Sequence, residues 1–229
     1  MGIALHRKCW SFWRITFLLS FLQHLEMERS ILTPKMTINI CKNGKTFQKL
    51  NLNYSLVEKM CLQQIIKWCQ ELKEVDLNTR FAGSIIHDNL EFLVRNITPN
   101  IEKLKLRGSL FMDKFLKILL GRCNKIKTFG LEAQFITDRS LSIIRQHLHL
   151  TLEELSLGCS CEFLSLTGFL ELKLMPRLKI LNLYKRKEDS KEIRRLREYL
   201  PHLKIYGVLN WSLWLLHWEF LTKKYNLTT

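Results

Sequence analysis

The chain has 229 residues, with 36 Lys and Arg against 21 Asp and Glu, so its formal net charge is +15. A hydrophobic content of 47% is ordinary for a globular chain and excludes an intrinsically disordered one. The positive balance favours acidic partners such as phosphorylated peptides or acidic protein surfaces. Because no RNA-binding or zinc-finger motif accompanies the charge, we expect no nucleic-acid partner.

Residues 1–44 begin with a basic and apolar stretch, "HRKCWSFWRITFLLSFLQHL". Arg14, Gln23 and His24 interrupt the apolar run and no small-residue cleavage site follows it, so it is a poor signal peptide. The run is too short to cross a bilayer, as is "VLNWSLWLLHWEFL" in the Trp-rich tail at 208–229. We therefore expect no membrane partner.

From residue 47 onward, apolar residues recur at offsets of three and then two, as in Leu152-x-x-Leu155-x-Leu157. Such a spacing with a period in the twenties is typical of a leucine-rich-repeat array. Since one repeat cannot bury its own apolar face, about seven stacked repeats predict a single elongated domain over 45–207. The six complete copies and one truncated copy begin at Phe47, Leu72, Ile101, Ile126, Leu152, Leu178 and Leu203.

Within each repeat the spacing predicts a strand, a loop and a helix. In an extended strand, residues two apart point to one side, so Leu155 and Leu157 face inward while Ser156 faces outward. The segment 56–69 carries apolar residues at helical spacing, which predicts one buried helix face. The expected fold is an α/β horseshoe with a parallel concave sheet inside and helices on the convex side. The predicted buried helix positions are Val57, Cys61, Ile65 and Trp68.

The seven cysteines are an odd number without regular pairing, so we expect them to be reduced, as in the nucleus and cytoplasm. Cys69 and Cys123 each lie three residues before the next repeat begins, where a small buried side chain suits the helix end. Cys159-Ser-Cys161 lacks a second pair of ligands, so we expect no metal and no cofactor.

Two stretches of sequence indicate which class of leucine-rich repeat the array belongs to. "ITDRSLSII", from Ile136 to Ile144, resembles the start of the cysteine-containing repeats common in F-box proteins, and Leu166 to Gly207 resembles the last repeats of such a protein. The resemblance implies a non-catalytic substrate-recognition subunit of an SCF ubiquitin ligase. Its repeats would bind protein substrates, including phosphorylated ones, for proteasomal degradation, and its F-box would bind the Skp adaptor and, through it, the cullin. A small kinase-binding accessory subunit is a further implied partner.

The N-terminal region departs from this family. Residues 1–44 contain no Leu-Pro-x-Glu helix start and no F-box helix series, so adaptor and cullin binding are expected only if an F-box is supplied. The alternative is a stand-alone repeat module, truncated or acting as a competitor, without ligase association. A secreted repeat protein would instead use the Asn-x-Ser/Thr sequons at Asn53, Asn96, Asn210 and Asn226.

The outward positions of the strands are the predicted substrate-binding surface. Lys103, Lys105 and Arg107 share one strand and form the best candidate for an acidic or phosphorylated ligand. The competing interpretation is that acidic residues on neighbouring strands neutralise them through cross-strand pairs. The predicted contact residues are Lys103, Lys105, Arg107, Glu132, Glu154, Ser156, Asn182 and Tyr184.

A second basic run, "YKRKEDSKEIRRLRE", is predicted to form a helix whose apolar residues face the core. Its basic residues are either a solvated helix face or a docking site for an accessory subunit or a phosphate group. No phosphate-binding loop, nucleophile elbow or paired-acid motif is found, so an enzyme is not expected. The predicted docking residues are Lys185, Arg186, Lys187, Arg194 and Arg195.

Overall fold

The computed structural model of the chain describes residues 2–4, 23–27, 30–42, 44–53, 55–77, 86–107, 112–133, 136–158, 164–184 and 190–208. Over these residues the protein is α/β. Eleven strands are described: β1 Gly2–Ala4, β2 His24–Glu26, β3 Ile31–Leu32, β4 Lys49–Asn51, β5 Leu56–Val57, β6 Glu74–Leu77, β7 Lys103–Arg107, β8 Thr128–Glu132, β9 Glu154–Gly158, β10 Ile180–Tyr184 and β11 Lys204–Val208. The helices are α1 Pro34–Lys42, α2 Lys59–Trp68, α3 Ile86–Asn96, α4 Asp113–Arg122, α5 Asp138–Leu148, α6 Leu166–Leu170 and α7 Lys191–Tyr199, with 3-10 turns at Gly44–Thr46 and Glu171–Leu174.

Nine strands form one parallel sheet in the order β1-β2-β4-β6-β7-β8-β9-β10-β11, so each strand lies beside its nearest neighbour in sequence. The remaining two strands, β3 and β5, pair in parallel as a separate small sheet. Each helix from α1 to α7 packs against the next one along the chain. The predicted α/β class with a parallel sheet is confirmed.

The core lies between the sheet and the helix layer. The register places one apolar residue of each strand opposite the next, and all of these side chains are at most 4% exposed. Leu155 and Leu157 both face this core, as their spacing predicted. The row consists of Leu50, Val75, Leu104, Phe129, Leu155, Leu181 and Ile205.

The predicted buried face of α2 was wrong in two residues. Val57 is buried but belongs to β5, and Trp68 is 49% exposed. The buried face of α2 consists of Cys61, Leu62, Ile65 and Ile66. Trp68 lies at the border of that face in the last turn, where its indole Nε1 donates to Gln64 Oε1 at 3.0 Å.

The stack also extends to the N-terminal side of residue 45, where the repeat domain was predicted to begin. Strand β2 pairs with β4, and α1 packs against α2. Leu25, Met27 and Ile40 belong to the same core as Phe47. The missed signal is Leu22-x-x-Leu25-x-Met27, which has the repeat spacing and begins 25 residues before Phe47.

Polar contacts at the helix N-termini connect successive units. Asp113, the first residue of α4, accepts from Ser140 Oγ at 2.5 Å and from Thr137 Oγ1 at 3.5 Å. Asp138, the first residue of α5, accepts from Ser165 N at 2.8 Å and from Ser165 Oγ at 2.5 Å. Ser165 Oγ in turn accepts from Gly168 N at 3.2 Å and caps α6. These bonds fix the stagger between neighbouring helices.

Cys69 and Cys123 are free, buried and immediately follow α2 and α4, as predicted. Cys9, Cys159 and Cys161 lie outside the described residues. Within the described ranges, no cluster of His, Cys, Asp or Glu is arranged to hold a metal ion. None of the described helices is long and apolar enough to cross a membrane.

Candidate binding face of the sheet

Among the described residues, helices cover one face of the sheet and no element covers the other. We call the second the open face and define it by the residues of β4 and of β6 to β11 that alternate with the core row. Because the strands are in register, these residues form three rows across the sheet. The rows are Lys49, Glu74, Lys103, Thr128, Glu154, Ile180, Lys204; then Asn51, Asp76, Lys105, Gly130, Ser156, Asn182, Tyr206; then Arg107, Glu132, Gly158, Tyr184, Val208.

The predicted basic cluster lies at the centre of this face, on β7. Lys103 and Lys105 are both half-buried, whereas the side chain of Arg107 lies outside the described part of the structure. The register places Glu74 opposite Lys103 and Asp76 opposite Lys105. Opposite charges in directly opposed positions attract, so an anionic ligand has to compete with acids of the protein itself.

Glycines on the open face allow two charged side chains to lie flat on the sheet. A Cβ atom added to Gly130 would be 3.0 Å from Lys105 Cγ, and one added to Gly158 would be 2.7 Å from Glu132 Cγ. Lys105 therefore covers Gly130 of β8, and Glu132 covers Gly158 of β9. A glycine inside a strand often marks such a close approach, and this was the signal available in the sequence.

The end of the face near β10 is polar and acidic. Asn182 Nδ2 donates to Glu154 Oε1 and to Ser156 Oγ, both at 3.0 Å. Burial raises the pKa of the Tyr184 phenol; its hydrogen bond with Ser156 opposes this shift, while the nearby charges of Glu154 and Glu132 reinforce it. The structure thus brings these five predicted residues together.

Ser156 is less accessible than its spacing suggested. It lies on the open face as predicted, but it is only 5% exposed because it is hydrogen-bonded with Asn182 and Tyr184 of the next strand. It therefore orients these two side chains and offers little surface to a ligand. Asn182 and Tyr184 remain accessible, and Tyr184 is 39% exposed.

The sequence analysis missed a second exposed tyrosine on this face. Tyr206 of β11 lies opposite Asn182 and is 44% exposed. In the truncated seventh repeat, Leu203 and Ile205 alternate with Lys204 and Tyr206, and this pattern already predicted that Tyr206 faces outward. With Tyr184 it gives the open face an aromatic end three to four strands away from Lys103 and Lys105.

The described part of the second basic run lies on the helix layer and away from the open face. Lys185, Arg186 and Lys187 lie outside the described residues. Arg194 and Arg195 are exposed on α7, which belongs to the helix layer, while Ile193 and Leu196 of the same helix are buried. The amphipathic helix is therefore confirmed, and docking at its basic side stays a prediction.

No protein-family model matches the chain, and no curated protein is similar enough to it to count as a relative. The function is therefore argued from the fold, the open face and the sequence motifs.

Proposed function

We propose that the chain is a leucine-rich-repeat horseshoe that acts as a substrate-recognition subunit of an SCF ubiquitin ligase. Support for the repeat architecture comes from the recurring spacing together with the sequential parallel strands, which from β2 onward are each connected to the next strand of the sheet through a helix of one packed layer. On this proposal the open face is the concave face of the horseshoe.

The repeat-start motif that resembles the repeats of F-box proteins has a structural role, which supports the family resemblance. In "ITDRSLSII", Ile136 is buried, Thr137 caps α5, and Asp138 bonds to Ser165 of the next unit. The motif thus defines how one repeat begins and how it joins its neighbour. The ending from Leu166 to Gly207 further resembles the last repeats of the S-phase kinase-associated F-box protein.

The observation that carries the proposed function is the open face itself, a row-by-row surface of charged, amide and aromatic side chains. Such a surface suits recognition of an extended protein segment, with the basic residues of β7 facing an acidic or phosphorylated group. The chain would perform no chemistry. It would raise the effective concentration of substrate lysines near the ubiquitin-charged enzyme, in the nucleus and cytoplasm.

A stand-alone binding module is the second candidate, and one observation favours it. Residues 23–42, where an F-box would be sought, contribute β2 and α1 to the same stack as the repeats. This stretch therefore supplies a strand and a helix of the array. A chain of this kind would bind substrates in competition with an intact receptor.

Capture of the tagged chain with purified Skp adaptor and cullin separates the two candidates. Retention of both proteins is expected of a ligase subunit. A chain that retains neither of them but still binds a protein substrate would be a repeat module without a ligase. An F-box protein of the same family is the positive control for adaptor capture.

The open face is tested by Lys103→Glu/Lys105→Glu, which reverses two charges at its centre. We expect capture of an acidic or phosphorylated substrate peptide to fall at least about tenfold, since each charge-assisted hydrogen bond contributes about 1.5–3 kcal/mol. Lys114→Glu/Lys117→Glu makes the same charge change on exposed positions of α4 and should leave capture unaffected. Equal losses in both variants would mean that net charge, and not this face, controls binding.

A further inference from the structure

The first two helices and the small sheet beside them share an unusual surface. Five of the eleven exposed large hydrophobic residues in the described part of the chain lie there, with exposed fractions of 38–70%. Monomeric proteins rarely expose several large apolar side chains side by side without a partner. We call this surface the α1–α2 patch; its apolar members are Ile31, Ile38, Leu56, Met60 and Trp68.

The topology places these residues on one side of the molecule. Ile31 pairs with Leu56 in the small sheet, whose strands β3 and β5 lead directly into α1 and α2. The two helices pack against each other, and Ile38 is on the side of α1 opposite its buried residues. Met60 lies in the first turn of α2 and Trp68 in its last, so the patch runs the length of the helix, about 15 Å.

The charges on helices α1 and α2 are of one sign. Helices α1 and α2 contain Lys35, Lys42, Lys59 and Lys67 and no acidic residue, and Glu58 lies at the border just before α2. Lys67 Nζ is 5.6 Å from the centroid of the Trp68 ring. The helices as a whole carry 14 Lys and Arg against 6 Asp and Glu, whereas the open face carries 5 against 4. Of these two sets of described residues, the helices therefore carry most of the positive excess.

We propose that the α1–α2 patch docks the protein on the surface of a membrane that contains anionic lipids. Aliphatic side chains and a tryptophan gain free energy by entering the boundary between headgroups and acyl chains, and nearby lysines gain from lipid phosphates and carboxylates. This contact is peripheral. It goes beyond the proposed substrate recognition and departs from our expectation of no membrane partner.

The side-chain types favour a lipid surface over a nucleic acid or an acidic protein. All basic residues of the two helices are lysines, whose flexible point charges suit a fluid array of headgroups, whereas fixed pairing with phosphate or carboxylate favours arginine. Phosphate groups of a nucleic acid would also give Ile38 and Met60 nothing to bury against. The open face remains available on the other side of the sheet.

The test is flotation of the full chain with phosphatidylcholine vesicles, with and without phosphatidylserine. We expect binding only when phosphatidylserine is present. Ile38→Glu/Met60→Glu should weaken it at least about tenfold, since two apolar side chains are lost. Leu150→Glu/Leu174→Glu makes the same charge change at residues that are 60% and 61% exposed elsewhere, and should bind like the unaltered chain. Unchanged circular dichroism spectra establish that all variants are folded.

A second pair of variants tests the lysines. Lys42→Gln/Lys67→Gln should weaken binding by about fivefold per lysine, whereas Lys114→Gln/Lys117→Gln on α4 should weaken it less. The proposal is overturned if the unaltered chain does not float with phosphatidylserine vesicles, or if Ile38→Glu/Met60→Glu floats as well as its control. Retention on RNA that needs Lys42 and Lys67 but not Ile38 and Met60 would also overturn it, in favour of a polyanion.

Discussion

Gly168→Ala tests the polar connection between neighbouring repeats. A Cβ atom at Gly168 would lie 2.5 Å from Asp138 Cγ and 3.0 Å from Asp138 Cβ, far closer than real atoms approach. The Asp138 carboxylate must therefore move away, and it then loses its two bonds from Ser165, at 2.8 and 2.5 Å. The substitution is small, but it disconnects α5 from α6.

The size of the effect follows from these bonds. Hydrogen bonds to charged groups contribute about 1.5–3 kcal/mol each, and because Ser165 is exposed this pair contributes less than that sum, about 2–3 kcal/mol together. Replacing glycine by alanine in a helix returns about 0.5–1 kcal/mol. We expect a net loss of about 1–2 kcal/mol, which lowers the melting temperature of a chain of this size by about 3–6 °C.

Thermal melting by circular dichroism measures this shift. Gly121→Ala is the matched control, because an added Cβ in α4 would have its nearest neighbour at 3.8 Å, and it should raise the melting temperature slightly. In an Asp138→Gly background no side-chain atom is left at residue 138 to clash, so Gly168→Ala should no longer destabilise. A Gly168→Ala protein as stable as Gly121→Ala, or an equal penalty in the Asp138→Gly background, would refute the reasoning.

Two further predictions concern titrating side chains. Burial raises the pKa of the Cys69 and Cys123 thiols, to about 12 and about 11, so iodoacetamide near neutral pH should modify them only after unfolding; mass spectrometry of native and urea-treated protein checks this, and rapid native labelling would contradict it. Glu132→Gln should lower the pKa of Tyr184, because it removes a negative charge that disfavours the phenolate; absorbance titration against Tyr184→Phe measures the shift, and an unchanged pKa would count against the described geometry.

The repeat period predicted the parts of the fold that depend on alternation alone. Leu155 and Leu157 point into the core because any strand at that position sends alternate residues to one side. Asp138 and Thr137 begin α5 because their side chains favour the first turn of a helix. Lys103 and Lys105 lie on the open face because they alternate with the buried residues of β7.

What escaped prediction depends on contacts between repeats. Ser156 is buried by Asn182, which lies 26 residues further along, and the exposure of Trp68 depends on where the buried stripe of α2 is centred. The unit at 23–42 has the repeat spacing, but its Leu25 follows a nearly continuous apolar run in which three-and-two offsets do not stand out. In each case either the residue that determines burial is distant in sequence, or the repeat spacing cannot be distinguished from the apolar residues around it.

The stacking geometry also explains why the charges are distributed unevenly. Neighbouring strands lie about 4.8 Å apart, so like charges in the same row repel strongly, and alternation of sign is favoured. The residues just before the strands show this alternation. Glu102 bonds to Lys127 at 2.7 Å and Glu153 to Lys179 at 2.9 Å, and the hydrogen bond from Lys127 lowers the pKa of Glu102.

Neighbouring helices, in contrast, are separated by about 8–10 Å, which is close to the screening length at physiological ionic strength. Lysines and arginines on adjacent helices therefore repel weakly, and α1 and α2 can carry four lysines with no acid between them. The strand spacing thus favours an open face with similar numbers of positive and negative charges. On such a face, shape and individual charge pairs control which ligand binds. The wider helix spacing leaves the other side of the protein able to carry a net positive charge.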